Sequence, residues 1–206
     1  MTGIVCICSR GLIHSRTVES VLQNLPTVGW CWEFTHDLPI PEAQNQVVKL
    51  ALEHSPEWLW FVEEDMVIPP GTLAKMLDHG TPVVVSDYRF PWTNRETGEP
   101  ARAVQYALDG TVLWAGLGCL LAHKSVLEKT EKPWFQCKNM HWSEKDQDWA
   151  IHGDTPRYGR QDVWFFKQLR NSGIPVGVIS ERCGHLRLTH WGEPRNNRGV
   201  HEVELL

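Results

Sequence analysis

The sequence predicts an α/β protein, with a mostly parallel central sheet flanked by helices and a smaller antiparallel portion in the second half. Three observations carry this. Short apolar runs of strand length alternate four times with segments of helical period over the first ninety residues. After residue 90 the alternation stops, and an Asp109-Gly110 pair between two apolar runs signals a hairpin. The chain has 206 residues, no internal repeat and no second set of core segments, so one domain spans 1–206.

The elements follow in order. GIVCIC at the N-terminus reads as a short buried strand, and residues 14–25 as a helix with Val18, Val21, Leu22 and Leu25 on one side. Residues 28–34 (VGWCWEF) form the second strand. Residues 41–54 form a helix that opens on Pro41 and turns Val47, Val48, Ala51 and Leu52 inward. WLWFV at 58–62 is the third strand, 71–79 a helix and 81–88 (TPVVVSDY) the fourth strand. Residues 90–102 read as an exposed loop, 103–115 as the hairpin, 117–122 as an apolar strand and 124–130 as a short helix. Residues 136–159 are long, polar and poorly periodic, the pattern of a functional or mobile loop. A helix at 161–173 ending on Gly173 and a strand at 174–179 precede a polar tail.

Composition excludes some functions. A net charge of −5 argues against broad, non-specific nucleic-acid binding. The segment 182–198 is a local exception, with Arg182, Arg187, Arg195 and Arg198 against the single carboxylate Glu193. It suits a phosphate-facing patch or a solvated surface. No apolar run reaches the roughly 20 residues of a membrane span, and the N-terminus has no signal-peptide pattern, which points to the cytoplasm. The six cysteines include no CxxC pair, so reduced, buried thiols are expected. Eleven tryptophans supply core, and flat faces on which a sugar or base could stack.

The chemistry concentrates at WLWFVEEDMVIPPG, residues 58–71. An apolar strand runs straight into Glu63, Glu64 and Asp65, and apolar residues resume after them. In open α/β sheets ligands bind at the C-terminal ends of strands. Strand alternation puts Glu63 and Asp65 on one side and Glu64 on the other. Two carboxylates on one side repel unless a hard cation sits between them and a ligand's phosphates, a role for Mg²⁺ or Mn²⁺. An exposed acidic loop is the competing reading.

FVEEDMVIPPGTLAKML resembles the acidic DxD-type segment of GT-A glycosyltransferases, especially the family-2-like group, with Glu63 where Asp is usual. The resemblance implies a single Rossmann-like GT-A domain, with residues 1–90 as the nucleotide-binding half and 91–206 as the acceptor and donor-sugar half. It implies that Asp65 binds the metal and that Glu63 contacts nucleotide or metal; Glu64, pointing the other way, suits a nucleotide-sugar contact or a purely structural role. IVCICSRG resembles the first strand and its nucleotide-contacting end, which implies Ser9 and Arg10 near the base or ribose. IPEAQNQVV resembles the segment whose Arg-Asn pair holds the nucleotide; Gln44 replaces the Arg, and Asn45 carries over. WAGLGCLLA resembles the segment beside the donor sugar, with Gly116 and Gly118. GRQDVWFF resembles the "ED" helix, with Gln161 for Glu. CGHLRLTH resembles the late segment whose histidine completes the metal site.

Each role has a plainer rival. Asp162 suits the general base of an inverting transfer or a charge placed at a helix N-terminus. His185, with His190 as competitor, suits a ligand for Mn²⁺ or an ordinary polar histidine. Gly116 and Gly118 suit close approach of a sugar or a strand bend. Trp114 suits a pocket wall or the core, and Arg10 and Arg16 suit phosphate or solvent. The expected activity is metal-dependent transfer from a UDP- or GDP-sugar to a hydroxyl of a glycan, a protein or a hydroxymethylated DNA base. A nucleotidyltransferase is disfavoured because the loop after the first strand has one glycine. A carbohydrate-binding module is disfavoured by the strand-end acids.

Overall fold

The computed structural model describes residues 2–9, 11–93, 98–143, 145–153, 160–188 and 203–205. The elements are β1 (Gly3–Ser9), α1 (Ser15–Leu22), β2 (Trp30–His36), α2 (Glu42–Glu53), β3 (Trp58–Val62), β4 (Met66–Val67), α3 (Thr72–Asp78) and β5 (Val83–Ser86). They continue with β6 (Arg89–Thr93), β7 (Pro100–Arg102), β8 (Val104–Tyr106), β9 (Val112–Ala115), β10 (Cys119–His123), α4 (Lys124–Lys129), β11 (Met140–Ser143) and β12 (Asp148–Ile151). The chain then forms α5 (Gln161–Asn171), β13 (Val176–Ile179), β14 (Gly184–Leu188) and β15 (Val203–Leu205).

Six strands form the central sheet in the order β13-β5-β10-β3-β1-β2. The pairs β1–β2, β1–β3 and β13–β5 are parallel. β10 runs antiparallel between β3 and β5. Its residues Cys119 to Ala122 are buried, as a central strand covered on both faces requires.

Alternation along the strands sorts the core into two layers. On one face Ile4, Leu59, Phe61, Val85 and Leu120 pack with Val47 and Val48 of α2 and Phe165 of α5. On the other face Val5, Ile7, Trp60, Val84 and Leu121 meet Val21 of α1 and Met76 of α3. The expected inward face of α2 is observed at Val47, Val48 and Ala51, whereas of the residues expected inward on α1 only Val21 is fully buried and Leu22 is 56% exposed.

Two segments expected as loops are hairpins. Residues 90–102 contain the antiparallel pair β6–β7. Within 136–159, β11 and β12 pair, with Met140 fully buried and Trp142 set edge-on to Trp149 at 6.0 Å. Cross-strand aromatic contact of this kind stabilises a ribbon without a glycine turn. Asp148 of β12 is ion-paired to Lys167 at 2.6 Å and to Arg170, which fastens the ribbon to α5. Residues 154–159 of that span lie outside the described residues.

Among the described residues no helix is long and apolar enough to cross a membrane.

Candidate metal and nucleotide site

A cleft of about 650 Å³ opens at the C-terminal ends of β1, β2 and β3. Ser9, Asp37, Gln44, Glu63, Glu64 and Asp65 line its polar side. Phe61, Ile40 and Leu117 contribute apolar wall.

The three acids do not continue the strand. β3 ends at Val62, and residues 63–65 turn before β4, with Met66 N–H donating to Glu63 O at 3.3 Å. Glu63 and Asp65 share a side because of this turn, not because of pleat alternation. The turn is held by the backbone around it. Glu63 N–H donates to Gly118 O at 3.2 Å, His14 N–H to Glu64 O at 3.0 Å, and Leu186 N–H to Asp65 O at 2.8 Å. The Thr17 hydroxyl also donates to Glu64 O at 3.0 Å. The Glu64 carbonyl thus anchors the start of α1, and the residue lines the cleft.

β14 pairs antiparallel with β4, matching His185 to Met66. That register puts the imidazole beside the acids. His185 Nε2 lies 3.3 Å from Asp65 Oδ2, and Glu63, Asp65 and His185 each offer one ligand atom within 4.8 Å of the others. His185 Nδ1 lies 3.1 Å from Arg89 O. A carbonyl only accepts, so Nδ1 carries the hydrogen and Nε2 is left to face the acids, the orientation found in metal-ligating histidines. Two carboxylates and an imidazole are a donor set that fits Mn²⁺ or Mg²⁺. Burial works against the charged imidazole, but the hydrogen bond and charge of Asp65 outweigh it, so the His185 pKa is raised. The acids that draw a proton to His185 would draw a cation to the same point. His190 lies outside the described residues.

Tyr88 forms the floor beside this cluster. Its ring is edge-on to His185 at 5.5 Å and to Phe90 at 5.4 Å, and it is 1% exposed. The hydroxyl accepts from Gly118 N–H at 3.2 Å. Burial, then Glu63, and further on Asp162 and Asp65 raise the phenol pKa well above its ordinary value, so it stays protonated. All three carboxylates are therefore within electrostatic reach of one ring.

Gly116 and Gly118 make room for that ring. A Cβ at Gly116 would sit 2.1 Å from the Tyr88 hydroxyl, and one at Gly118 would sit 2.7 Å from its Cζ and 2.9 Å from Met66 Sδ. The space that a Cβ would take at each of these glycines is filled by the Tyr88 ring.

Asp162 lies in the first turn of α5 and bonds the Val163 N–H through Oδ1 at 2.8 Å. Only part of its surface meets solvent, and the carboxylate is surrounded by protein. Burial raises its pKa to about 6, against the lowering effect of its hydrogen bonds. Two residues before it, Arg160 adopts φ +71°, a left-handed conformation that costs a non-glycine residue about 1 kcal/mol or more.

Asn45 is not in the cleft. Its amide donates to Phe135 O at 2.8 Å and accepts from Phe135 N–H at 3.2 Å, stapling α2 to the segment before β11. Its carboxamide is thus engaged within the protein, and Asn45 is not among the residues that line this cleft. Its neighbour Gln44 is the one that faces the cleft. Ser9 is on the cleft wall, where its hydroxyl bonds Leu12 O at 3.2 Å and accepts from Gly11 N–H at 3.0 Å. Trp114, on β9, donates to Gln105 at 2.6 Å and packs partly on the core. Arg16 is exposed on α1 and is not among the cleft residues. Arg10 lies outside the described residues. Arg182 approaches Asp87 at 4.0 Å, so the basic segment is opposed at that end; Arg195 and Arg198 also lie outside the described residues.

Gln44, Asp37 and Tyr88 were missed from the sequence. Asp37 follows directly on β2, and the strand-end rule applied to that strand would have found it; Tyr88 lies two residues beyond β5 and carries no such signal.

No protein-family model and no curated protein matches the chain. Among solved structures it is similar to A197 from STIV, at 18% identity over 91% of this chain and 90% of that one, with a TM-score of 0.58. That likeness concerns the fold. Looser similarities are to a glycosyltransferase involved in the glycosylation of the major capsid of PBCV-1 and to CMP:2-keto-3-deoxy-manno-octonic acid synthetase complexed with CTP. The first has 14% identity, 65% and 69% coverage and TM-score 0.37; the second has 11%, 87% and 89%, and 0.45.

Two stability effects follow. Gly118→Ala should destabilise the fold by about 1–3 kcal/mol through overpacking against Tyr88, read as a lower Tm. Asp162→Asn should raise Tm at pH 7.5. A carboxyl whose folded pKa is about 6 favours its neutral form, so ionisation at neutral pH costs stability. The gain should fade towards pH 4, where Asp162 is itself protonated.

Proposed function

We propose that this chain is a metal-dependent transferase that moves a sugar from a UDP- or GDP-sugar to an acceptor hydroxyl. The observation that carries the reading is the meeting of Glu63, Asp65 and His185 beside a cleft at the C-terminal strand ends. Residues 1–90 supply every cleft residue named above except Leu117, and 91–206 supply His185 and Asp162, which supports a nucleotide half and an acceptor half.

In this reading Asp65, Glu63 and His185 hold Mn²⁺ or Mg²⁺, with His185 oriented by the Arg89 carbonyl. When bound, the cation supplies positive charge to the diphosphate as the bond to the sugar breaks. The cleft, with Ser9 on its wall, receives the nucleoside. Asp162 accepts the proton of the acceptor hydroxyl in an inverting transfer, as the new bond forms from that oxygen to the sugar carbon. A carboxyl with a pKa of about 6 suits this, being ionised at neutral pH yet a stronger base than a solvated aspartate. The hydroxyl of a glycan, a protein or a hydroxymethylated DNA base each fits this chemistry.

The test is donor hydrolysis and transfer with a panel of nucleotide sugars. Activity should require Mn²⁺ or Mg²⁺, disappear in chelator and return on adding metal. Asp65→Ala should lower it by about 100-fold or more while leaving the fold intact by circular dichroism. Full activity in that variant would sink the metal site. Release of pyrophosphate instead of a nucleoside diphosphate would turn the reading towards nucleotidyl transfer. kcat/KM should fall as pH drops through about 6, where Asp162 takes up its proton. A profile flat between pH 5 and 7.5 would remove Asp162 as the base.

A further inference from the structure

A second groove, of about 1090 Å³, lies between α2, the segment 132–139 and the end of β12. The start of α2 separates it from the cleft. Pro39, Ile40, Ala43 and Gln44 line the cleft, while Pro41, Glu42 and Asn45 line the groove. The bonds between Asn45 and Phe135 tie its two walls together. Its charge runs against that of the whole chain. Lys49, Lys132 and Lys138 line it beside one carboxylate, Glu42, although the chain carries a net −5. Among the described residues these three lysines take part in no ion pair, unlike Lys75 and Lys167. Two of them are nevertheless held in place. Lys132 Nζ sits 5.0 Å over the Trp134 ring, and Lys138 Nζ sits 5.3 Å over the Trp164 ring. An ammonium held on an indole face loses little freedom when an anion binds to its outer side. Trp164 belongs to α5, so the Lys138 end of the groove abuts the helix whose first turn holds Asp162.

We propose that this groove binds an acidic glycan, a sugar chain bearing carboxylates, and that this glycan is the acceptor. The acceptor role rests on the transferase reading above; the binding does not. Lysines set apart along a groove match charges set apart along a chain. Gln46, Gln136 and Asn139 line the same groove. A carboxamide both donates and accepts, as sugar hydroxyls require. Pro133 and Ile151, the latter 49% exposed, offer apolar surface to the C–H face of a sugar ring. Nucleic acid fits less well. Among the described residues no arginine lines the groove to fork onto a phosphate. Trp134 is 5% exposed with Lys132 over it, so its face is not open to stack a base.

The experiment measures binding to the full chain, without nucleotide or metal, of oligogalacturonate and of a neutral dextran oligomer of equal length. Single-stranded DNA and oligoglutamate of equal charge are the further arms. The parent should bind oligogalacturonate about 10-fold or more tighter than dextran, with the margin shrinking as salt rises. Lys49→Gln, Lys132→Gln and Lys138→Gln combined should weaken oligogalacturonate about 10-fold, as three exposed ion pairs together imply, and leave dextran unchanged. The three changes to Arg keep the charge and should stay within about 3-fold of the parent. The proposal is overturned if the parent binds oligogalacturonate no better than dextran, or if the glutamine variant binds it as the parent does. DNA or oligoglutamate binding tighter than the glycan overturns it too. Transfer from nucleotide sugars to oligogalacturonate reads the acceptor role. It should fall about 10-fold in the glutamine variant at low glycan concentration, while Mn²⁺-dependent donor hydrolysis stays unchanged. Donor hydrolysis without transfer to the glycan overturns the acceptor role. No donor hydrolysis in the parent overturns the transferase reading and leaves the binding result standing.

Discussion

Everything at the site depends on how the backbone of residues 63–65 is pinned. Three like charges at a strand end would spread if the chain were free. Here the carbonyls of Glu64 and Asp65 accept from His14 and Leu186, and the Glu63 N–H donates to Gly118. Those partners come from the start of α1, from β14 and from the turn before β10. Each bond is an ordinary peptide hydrogen bond, with a net value of about 1 kcal/mol. Together they fix the turn from three directions, so side-chain repulsion cannot relieve itself by moving the backbone. Repulsion that cannot be relieved is what gives a site affinity for a cation.

The same pinning brings in the histidine. Leu186 N–H reaches Asp65 O because β14 lies along β4, and that register puts His185 opposite Met66. Tyr88 then fills the space beneath. Its ring needs two positions without a Cβ, and the Gly-Leu-Gly stretch provides them while Leu117 takes the cleft wall. The glycines thus serve the site through packing. The Tyr88 phenol also feels the charge of Asp162, from a distant part of the chain, as well as those of Glu63 and Asp65.

Much of the fold was legible in the sequence because its signals are local. Apolar runs such as WLWFV and the period of Val47, Val48 and Ala51 report burial directly. The direction of β10 was not legible, since a strand buried on both faces reads the same whichever way it runs. The β11–β12 ribbon was hidden because its turn has no glycine and only Trp142 and Trp149 mark the pairing. At the site, the acids and His185 stood out by residue type. Which of Gln44 and Asn45 lines the cleft did not. The two are adjacent on a helix, about 100° apart, and which one faces the cleft depends on how α2 crosses the sheet. The grouping of Glu63 with Asp65 was anticipated for a different reason, since a turn and not the pleat produces it.

The central claim is that Glu63, Asp65 and His185 form one cation site at the phosphate end of the cleft. A crystal structure with Mn²⁺ and a nucleoside diphosphate, with anomalous scattering recorded at the manganese edge, tests it most directly. The account predicts a single strong peak within coordination distance of Asp65 and His185, with diphosphate oxygens on its open side. A manganese peak away from these side chains, or a nucleotide bound outside the cleft, would contradict it.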